Sequence, residues 1–231
     1  MAERTSYSLE DGIATITLDD GKVNALSNEM MAEINAALDR ADADGAVVIL
    51  TGRPGILSAG FYLPVLRGGG PDASAMLASG FALAIRLLSA PRPVVIACPG
   101  HAIAMASFLL LSADYRVGAE GEYRIVANEV AIGMTLPKTA IEICRGRLAP
   151  SHFSRATTLS EVFANEGAVA AGFLDRVVPA DRLAETAREV ATQLSSLVPD
   201  AYVATKRRVR HDTLAAVLAA LEADTLDWGT G

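Results

Sequence analysis

The sequence predicts an α/β fold that is followed by a helical C-terminal region. Short β-branched runs alternate with helical patterns up to about Val178, and the segments after Pro179 are helical only. A hydrophobic content of 51% and a charged content of 20% exclude a disordered or collagen-like chain, and 231 residues can bury a sizeable core. We therefore divide the chain into a core, residues 1–180, and a helical region, residues 181–231.

The N-terminal segments predict a hairpin and then a helix. Tyr7–Gly12 ends in a turn and Ile13–Leu18 alternates as the partner strand. Ser27 is a favourable helix cap, and Glu29 suits the positive end of the helix. The apolar residues that follow Ser27 lie along one helical face: Met30, Ile34, Ala37 and Leu38.

The next stretch combines a buried strand with an unusual loop. Ala46–Leu50 is continuously apolar, as in strands covered on both faces. Arg53–Gly60 is expected to be a loop, and its last residue, a glycine, allows the N–H of the next residue to point outward. A short helix over Phe61–Leu66 follows, then a mobile loop at Gly68–Gly70 and a helix over Ala73–Ser89.

A second strand-to-helix junction lies at the centre of the chain. Val94–Cys98 is a β-branched strand, Pro99-Gly100 breaks it, and small residues over Ala102–Ser107 open an apolar helix. Free N–H groups at such a junction can stabilise an oxygen that gains negative charge. The alternative is a crowded, purely structural helix.

The second half of the chain carries one carboxylate in an apolar loop. Glu129 lies within Asn128–Gly133, where burial would raise its pKa and suit it to proton transfer. The alternative is a capping or ion-paired glutamate. The remaining segments are predicted as strands over 115–117, 123–125 and 173–178, and as helices over 138–147, 151–159, 162–171, 183–197, 201–210 and 213–226.

Charge and cysteine content narrow the function classes further. The formal charge of −7 argues against broad nucleic-acid binding, and an anionic ligand would need a local basic pocket. Cys98 and Cys144 lack metal or redox spacing, and no metal site is expected. The N-terminus does not resemble a signal or transit peptide, and no apolar run approaches membrane-spanning length, so a cytoplasmic protein without a membrane partner is expected.

Several segments, taken in order, resemble one known family. These are VNAL, LSAGFYL, PGHAIAMASFLLLSADYR, ANEVAIGMTLP and AGFLDRVVP, and together they span nearly the whole chain. The chain resembles the crotonase (enoyl-CoA hydratase/isomerase) superfamily. The resemblance implies a core of repeated ββα units arranged as a superhelix, with a C-terminal helical region that trimerises, often into dimers of trimers. The expected partners are therefore an acyl-CoA thioester substrate and further copies of the chain.

The resemblance also implies roles for individual residues. The backbone N–H groups of Phe61 and Met105 would form an oxyanion hole for the thioester enolate. Lys22, Val23, Ala25, Ala59 and Leu63 match positions that hold the coenzyme A end of the substrate. Coenzyme A belongs to the substrate, and no separate cofactor is expected. Ala104-Met105-Ala106 replaces the glycines of the family, which is expected to narrow the pocket or shift the oxyanion geometry.

The chain departs from the hydratase pattern at one catalytic position. Phe108 stands where the hydratases have their first glutamate, whereas Glu129 matches the second. Glu142 is a candidate for the missing carboxylate, the alternative being an ion-paired surface glutamate. His101 is either a catalytic group or a packed, backbone-bonded histidine.

Three functions follow from these features. The first is an enoyl-CoA hydratase of fatty-acid metabolism that uses Glu129. The second is an enoyl-CoA double-bond isomerase, for which a single glutamate suffices. The third is a catalytically weak acyl-CoA-binding protein.

Overall fold

The computed structural model describes residues 3–229, and these form two sheets surrounded by helices. The strands are β1 (Thr5–Glu10), β2 (Ile13–Leu18), β3 (Val47–Gly52), β4 (Gly55–Ser58), β5 (Val94–Cys98), β6 (Gly100–Ile103), β7 (Tyr115–Ala119), β8 (Ile125–Val126) and β9 (Arg176–Val178). The helices are α1 (Asn28–Ala43), α2 (Leu63–Gly68), α3 (Gly70–Ser89), α4 (Met105–Ser112), α5 (Lys138–Arg145), α6 (Pro150–Thr157), α7 (Asn165–Ala171), α8 (Leu183–Ser195), α9 (Pro199–Val209) and α10 (His211–Gly229).

Three successive units have the same layout. The large sheet has the order β1-β2-β3-β5-β7-β9, and the small sheet has the order β4-β6-β8. Each unit places one strand in the large sheet and the next in the small sheet before the chain enters a helix: β3-β4-α2, β5-β6-α4 and β7-β8-α5. Only the β1–β2 pair is antiparallel among the strand pairs of the described chain. The predicted α/β class with repeated ββα units is confirmed.

The small sheet is where the sequence-based expectations fail. The expected loop at Arg53–Gly60 contains β4, and the expected start of a helix at Ala102 belongs to β6, so that α4 begins only at Met105. Both strands are short, and half of their residues are glycine, alanine or serine, which strand propensities do not favour. Parallel pairing of β6 with β4 and β8 supplies the backbone hydrogen bonds that the side chains do not predict.

The expected mobile loop at Gly68–Gly70 is also wrong. Gly68 is the last residue of α2 and Gly70 the first of α3, so Gly69 alone joins the two helices, with a φ of 64°. By length and mean hydropathy α3 is long and apolar enough to cross a membrane, although Asp72 and Arg86 interrupt its apolar run. Its apolar side, with Met76, Phe81 and Leu87, is buried in the protein core, as in a central helix of a globular fold.

The large sheet has an apolar layer on each face. One face packs against α1, α3 and α4 in the main core, which also contains both free cysteines, Cys98 and Cys144. Burial raises the pKa of both thiols, as expected for cysteines that act as small hydrophobic residues. The other face packs against α8 through Leu183, Ala187 and Val190.

The helical C-terminal region therefore buries much of its apolar surface against its own core. From the sequence, the apolar stripes of residues 183–197 and 214–226 exceed what a lone helical tail should expose, which predicts that they are buried in a trimer. For α8 this is wrong, because its apolar residues cover the large sheet, and Val217 of α10 is buried between α3 and α5. Leu197, Val198, Val209, Leu218 and Leu226 remain exposed in the single chain.

Candidate active site

A cavity of about 440 Å³ opens between α2, α3 and the loop that follows β8. Its mouth carries exposed apolar side chains, with Leu63 44% and Ile132 52% exposed, whereas the rings of Phe81 and Phe108 close its inner end and are each 1% exposed. The other lining residues are Ala59, Phe61, Leu66, Arg67, Leu77, Ala104, Asn128, Glu129, Met134 and Pro137. A mostly apolar cavity with a few polar groups is the usual form of a small-molecule site.

Two backbone segments come together at this cavity. The chain turns at Gly60 with a φ of 84°, and a Cβ added there would lie 2.8 Å from the Ile103 carbonyl oxygen and 3.3 Å from the Met105 backbone nitrogen. Only glycine permits so close an approach in this conformation. The close approach therefore places the N–H groups of Phe61 and Met105 on neighbouring backbone segments.

Both of these N–H groups are without an acceptor within residues 3–229. Leu26 pairs with Phe61 through the Gly60 carbonyl and the Tyr62 N–H, which leaves the Phe61 N–H unused. Met105 is the first residue of α4, where helix geometry offers its N–H no partner. Two free donors at the edge of a cavity, one of them at a helix N-terminus, can stabilise a developing oxyanion.

The residue before Met105 has a strained backbone. Ala104 has a φ of 50° and a ψ of −122°, a region that residues with a Cβ rarely occupy. Its small side chain lines the cavity, whereas the Met105 side chain is fully buried in the core. The expectation that Met105 narrows the pocket is therefore wrong: the backbone keeps the glycine-like conformation, and the methionine points away from the cavity.

Glu129 supplies the one carboxylate among the described residues that line the cavity. It is 8% exposed, and burial raises its pKa to about 7 against the opposing effect of its own backbone N–H. Its Oε2 atom has no hydrogen-bond partner in the described chain, so the ion-pair alternative does not hold. The turn that follows Glu129, at Val130–Ile132, is held in place because the Met134 and Ile132 N–H groups both donate to the Glu129 carbonyl oxygen, at 2.9 and 3.1 Å. A buried carboxyl that titrates near neutral pH can both accept and return a proton.

The sequence model of the family described as "Enoyl-CoA hydratase/isomerase" matches residues 8–226. The chain belongs to this family. Its fold is close to that of an enoyl-CoA hydratase/isomerase family protein from Pseudomonas syringae, with a TM-score of 0.95 and 48% identity over 96% of this chain and 97% of that one.

Other relatives in the enoyl-CoA hydratase/isomerase family bear isomerase and hydratase names. An apo enoyl-CoA isomerase from Mycobacterium tuberculosis has a TM-score of 0.94 and 45% identity, covering 98% of this chain and 99% of that one. Mitochondrial enoyl-CoA delta isomerase 1 of Mus musculus is 31% identical over 92% of this chain and 75% of its own length. A probable enoyl-CoA hydratase, EchA17 of Mycobacterium tuberculosis, is 29% identical over 86% of this chain and 77% of its own length.

The two other candidate catalytic side chains of this family member, Glu142 and His101, do not line the cavity. Phe108 lines the inner wall of the cavity. By the resemblance, this is the position at which the hydratases have their first glutamate. Glu142 lies outside the lining and pairs with Arg145 at 3.2 Å, one helical turn further on, so the ion-paired alternative is the one observed. His101 is likewise outside the lining, and its Nδ1 accepts the Arg124 N–H at 3.0 Å, which makes it the packed, backbone-bonded histidine.

The loop that the resemblance assigns to coenzyme A lies beside the segment that carries Phe61, the first candidate oxyanion donor. The Ala59 N–H donates to the Val23 carbonyl at 2.9 Å, and the Asp20 carboxylate accepts N–H groups from Lys22 and Ala25. Burial raises the pKa of Asp20, but the backbone donors outweigh burial and hold it below its usual value. Ala59 and Leu63 line the cavity, whereas Lys22, Val23 and Ala25 lie on the adjoining loop.

Asn128 is a polar residue of the site that sequence reasoning did not single out. Its side chain lines the cavity next to Glu129, and its Oδ1 atom is buried without a hydrogen-bond partner in the described chain. Buried polar atoms are normally satisfied, so a free one in a cavity indicates a group that meets a ligand or water. Its position directly before the glutamate was the available signal. Phe81 lies within the helix predicted over Ala73–Ser89, and nothing local marks it as part of the cavity wall.

Proposed function

We propose that the protein binds an enoyl-CoA thioester in this cavity and moves its double bond from C3=C4 to C2=C3. The observation that carries the proposal is one buried, unpaired carboxyl, Glu129, in a cavity that has the two free backbone donors of Phe61 and Met105 at its edge. Moving a proton between two carbons needs one acid/base group. Adding a water molecule across a double bond is served by two carboxylates in the hydratases that this chain resembles, and Phe108 occupies the place of the first.

The reaction divides into two proton transfers. The thioester carbonyl oxygen accepts the N–H groups of Phe61 and Met105. The Glu129 carboxylate removes a proton from C2, and the electron pair of that C–H bond moves into the conjugated enolate, whose negative charge rests on the thioester oxygen. The protonated Glu129 then delivers the proton to C4, the enolate collapses, and the double bond stands between C2 and C3.

The electrostatics of the site suit this cycle. An ordinary glutamate, with a pKa near 4.5, is a weak base, whereas burial raises the pKa of Glu129 to about 7. Proton transfer is most efficient when the pKa of the catalytic group lies near the working pH. The apolar wall around Glu129 thus strengthens it as a base and favours the return of the proton.

Hydration of a 2-enoyl-CoA is the second candidate. The Glu129 Oε2 and Asn128 Oδ1 atoms are two free acceptors in the same cavity, and a water molecule can donate one proton to each. EchA17, the relative described as a probable enoyl-CoA hydratase, also favours this reaction. A protein that binds acyl-CoA with little turnover is the third outcome.

The deciding experiment compares two substrates. The wild-type protein and Glu129→Gln are incubated separately with a 3-enoyl-CoA and with crotonyl-CoA, and each product is followed by chromatography. We expect the wild type to isomerise the 3-enoyl-CoA and Glu129→Gln to lose at least 1,000-fold in rate, on the order of the loss of an essential base.

Glu142→Gln is the matched control, because it removes a carboxylate outside the cavity and is expected to leave the rate unchanged. Hydration of crotonyl-CoA without isomerisation would replace the first candidate by the second. Binding without either product would favour the third, and an unchanged rate in Glu129→Gln would overturn the role of that residue.

The proposal extends to the partners and location expected from the sequence. Lys22, Val23 and Ala25, on a loop stiffened by Asp20, are proposed to contact the coenzyme A end, and no separate cofactor takes part. The exposed apolar residues of the last three helices, such as Val209 and Leu218, support assembly into a homotrimer or hexamer. Two buried free thiols fit a reducing compartment and support the cytoplasmic location.

A further inference from the structure

Three aromatic rings form a column behind the inner end of the cavity. Phe81 stacks on Phe108 with a centroid distance of 6.2 Å and an interplanar angle of 24°, and on Trp228 with 6.1 Å and 19°. Phe61 meets the Phe81 ring edge-on at 6.3 Å. Aromatic pairs at these separations stabilise each other by more than the burial of their surface alone would provide. The last turn of helix α10 therefore packs behind the cavity wall.

Trp228 does not itself line the cavity. The wall consists of Phe81 and Phe108, and the indole supports Phe81 from outside the lining. Without the indole, the Phe81 ring would face open space and could turn away from Phe108. Trp228 is in this sense a positioning residue that acts through Phe81.

The end of α10 is held in place by specific hydrogen bonds. The buried Asp224 carboxylate accepts the Thr139 N–H at 2.8 Å, the Thr139 hydroxyl at 2.7 Å and the Lys138 N–H at 3.1 Å, at the start of α5. The Ser74 hydroxyl donates to the Trp228 carbonyl oxygen at 3.0 Å, which ties the same turn to α3. These bonds join α10 to both helices that flank the inner wall.

We infer that the Phe108–Phe81–Trp228 column sets the length of acyl chain that the cavity accepts, and that Trp228 fixes this limit by holding Phe81 in place. The inference rests on the proposed function, since it takes the ligand to be an acyl-CoA. The reacting end of the acyl group lies at Glu129 and the two oxyanion donors. A chain growing away from that end meets the two phenylalanine rings.

The expected effect follows from the discrimination that apolar pockets achieve. One methylene that fits or fails to fit changes kcat/KM by about 10- to 200-fold. Trp228→Ala should therefore raise kcat/KM for a long acyl chain relative to a short one by at least about tenfold, because Phe81 is free to move. Trp228→Phe should restore much of the wild-type ratio, because a ring remains against Phe81.

Kinetics on a substrate series test this directly. Wild type, Trp228→Ala, Trp228→Phe and the control Leu226→Ala are compared on 3-enoyl-CoA thioesters of six, ten and fourteen carbons. Leu226 is exposed on the same helix and is expected to leave the length profile unchanged. A Trp228→Ala profile equal to that of the wild type, or a uniform loss at all lengths, would overturn the inference.

Binding to the wild-type protein provides a second readout that does not depend on turnover. Trp228 is the one tryptophan of the chain, so its emission reports on the wall alone. Saturated acyl-CoA thioesters of increasing length should shift that emission once the chain reaches Phe81, whereas coenzyme A alone should not. A response independent of acyl length would contradict the inference.

The two readouts separate the inference from the proposed function. If there is no turnover but the Trp228 emission shifts with acyl length, the proposed reaction is overturned and the inference about acyl length is supported. If there is turnover but Trp228→Ala keeps the wild-type length profile, the reaction is supported and the inference about acyl length is overturned. Absence of any acyl-CoA binding would overturn both.

Discussion

Gly60 lies against the backbone of Met105 so closely that a single methyl group on Gly60 would stand 3.3 Å from the Met105 nitrogen. The same methyl group would approach the Ile103 carbonyl oxygen to 2.8 Å, a distance that real Cβ atoms do not reach. One of the two backbone segments would have to move. The contact therefore fixes how far apart the two proposed oxyanion donors can lie.

Gly60→Ala is expected to lower kcat by 100-fold or more, since misplacing one oxyanion donor costs about 10²–10³ in rate. Steady-state kinetics on a 3-enoyl-CoA measures the loss. Gly12→Ala is the matched control, because Gly12 has a similar φ of 73° but nothing within 4 Å of the added methyl group. It should lose stability through backbone strain alone, and keep its kcat. Equal losses in both variants would show that the contact with Met105 is unimportant.

Glu129→Gln should be more stable than the wild type at alkaline pH. The pKa of Glu129 is raised to about 7 in the folded protein, so folding favours its neutral form. This contribution to stability is complete below the unfolded pKa of about 4.5 and is lost as the pH rises through 7. We expect the variant to exceed the wild type by about 1–3 kcal/mol at pH 8, from urea unfolding, and to differ little at pH 5. A pH-independent difference would exclude this origin.

The rate of isomerisation should rise with pH through the same titration. Glu129 must begin the cycle as a carboxylate, so kcat/KM should increase below pH 7 and level off above it. A profile measured with the free enzyme between pH 5 and 9 gives the apparent pKa. A midpoint near 4.5 would mean that burial does not act on this carboxyl.

Asn128→Asp should move that midpoint upward. A second carboxyl in the same cavity makes ionisation of Glu129 less favourable, because like charges repel in a site of low polarity. Asn128→Ala, which removes the free Oδ1 atom without adding charge, should lower the rate and leave the midpoint in place. If the pH profile of Asn128→Asp coincided with that of the wild type, the side chain at this position would not act on Glu129.

Asp114→Asn should destabilise the fold by about 3–5 kcal/mol, as is typical when one partner of a buried ion pair is removed. Asp114 bonds Lys206 and Arg210, both at 2.9 Å, and its Oδ2 atom also accepts the Val94 N–H at the start of β5. Burial lowers the pKa of Lys206 to about 8 although Asp114 opposes this change.

Urea unfolding measures the loss, and Asp212→Asn is the control. Asp212 is fully exposed beside His211, and its substitution should change stability little. A similar loss of stability in both variants would argue against the buried ion pairs of Asp114 with Lys206 and Arg210 as the cause.

The large sheet could be predicted from the sequence because the local composition of its strands identifies them. Runs such as Val94–Cys98 are β-branched and apolar, and Ser27 caps α1 through a bond from the Met30 N–H, as predicted. The small sheet could not be predicted in this way. Gly55–Ser58 and Gly100–Ile103 gain their strand conformation from pairing with each other, which is a long-range effect.

The residues of the proposed reactive centre could be singled out from the sequence, and those around it could not. Glu129 stood out as a carboxylate in an apolar loop, and Gly60 as a residue that could aim the next N–H. Glu142 was a candidate as a carboxylate on an apolar helix near the expected pocket wall, although Arg145 three residues later indicated an ion pair on one helix face. Trp228 is 154 residues from Ser74 in the chain, and no local pattern predicts such a contact.

The long separation in sequence between Phe81 and Trp228 has a consequence for folding. Both sheets and the loop that carries Glu129 are formed by residues that precede α10, whereas the ring that stacks on Phe81 and the carboxylate that caps α5 belong to α10. A partly folded chain with α10 undocked would hold the proposed acid/base group in a cavity whose inner wall is unsupported. Docking of α10 is thus the folding step that we expect to establish substrate selectivity.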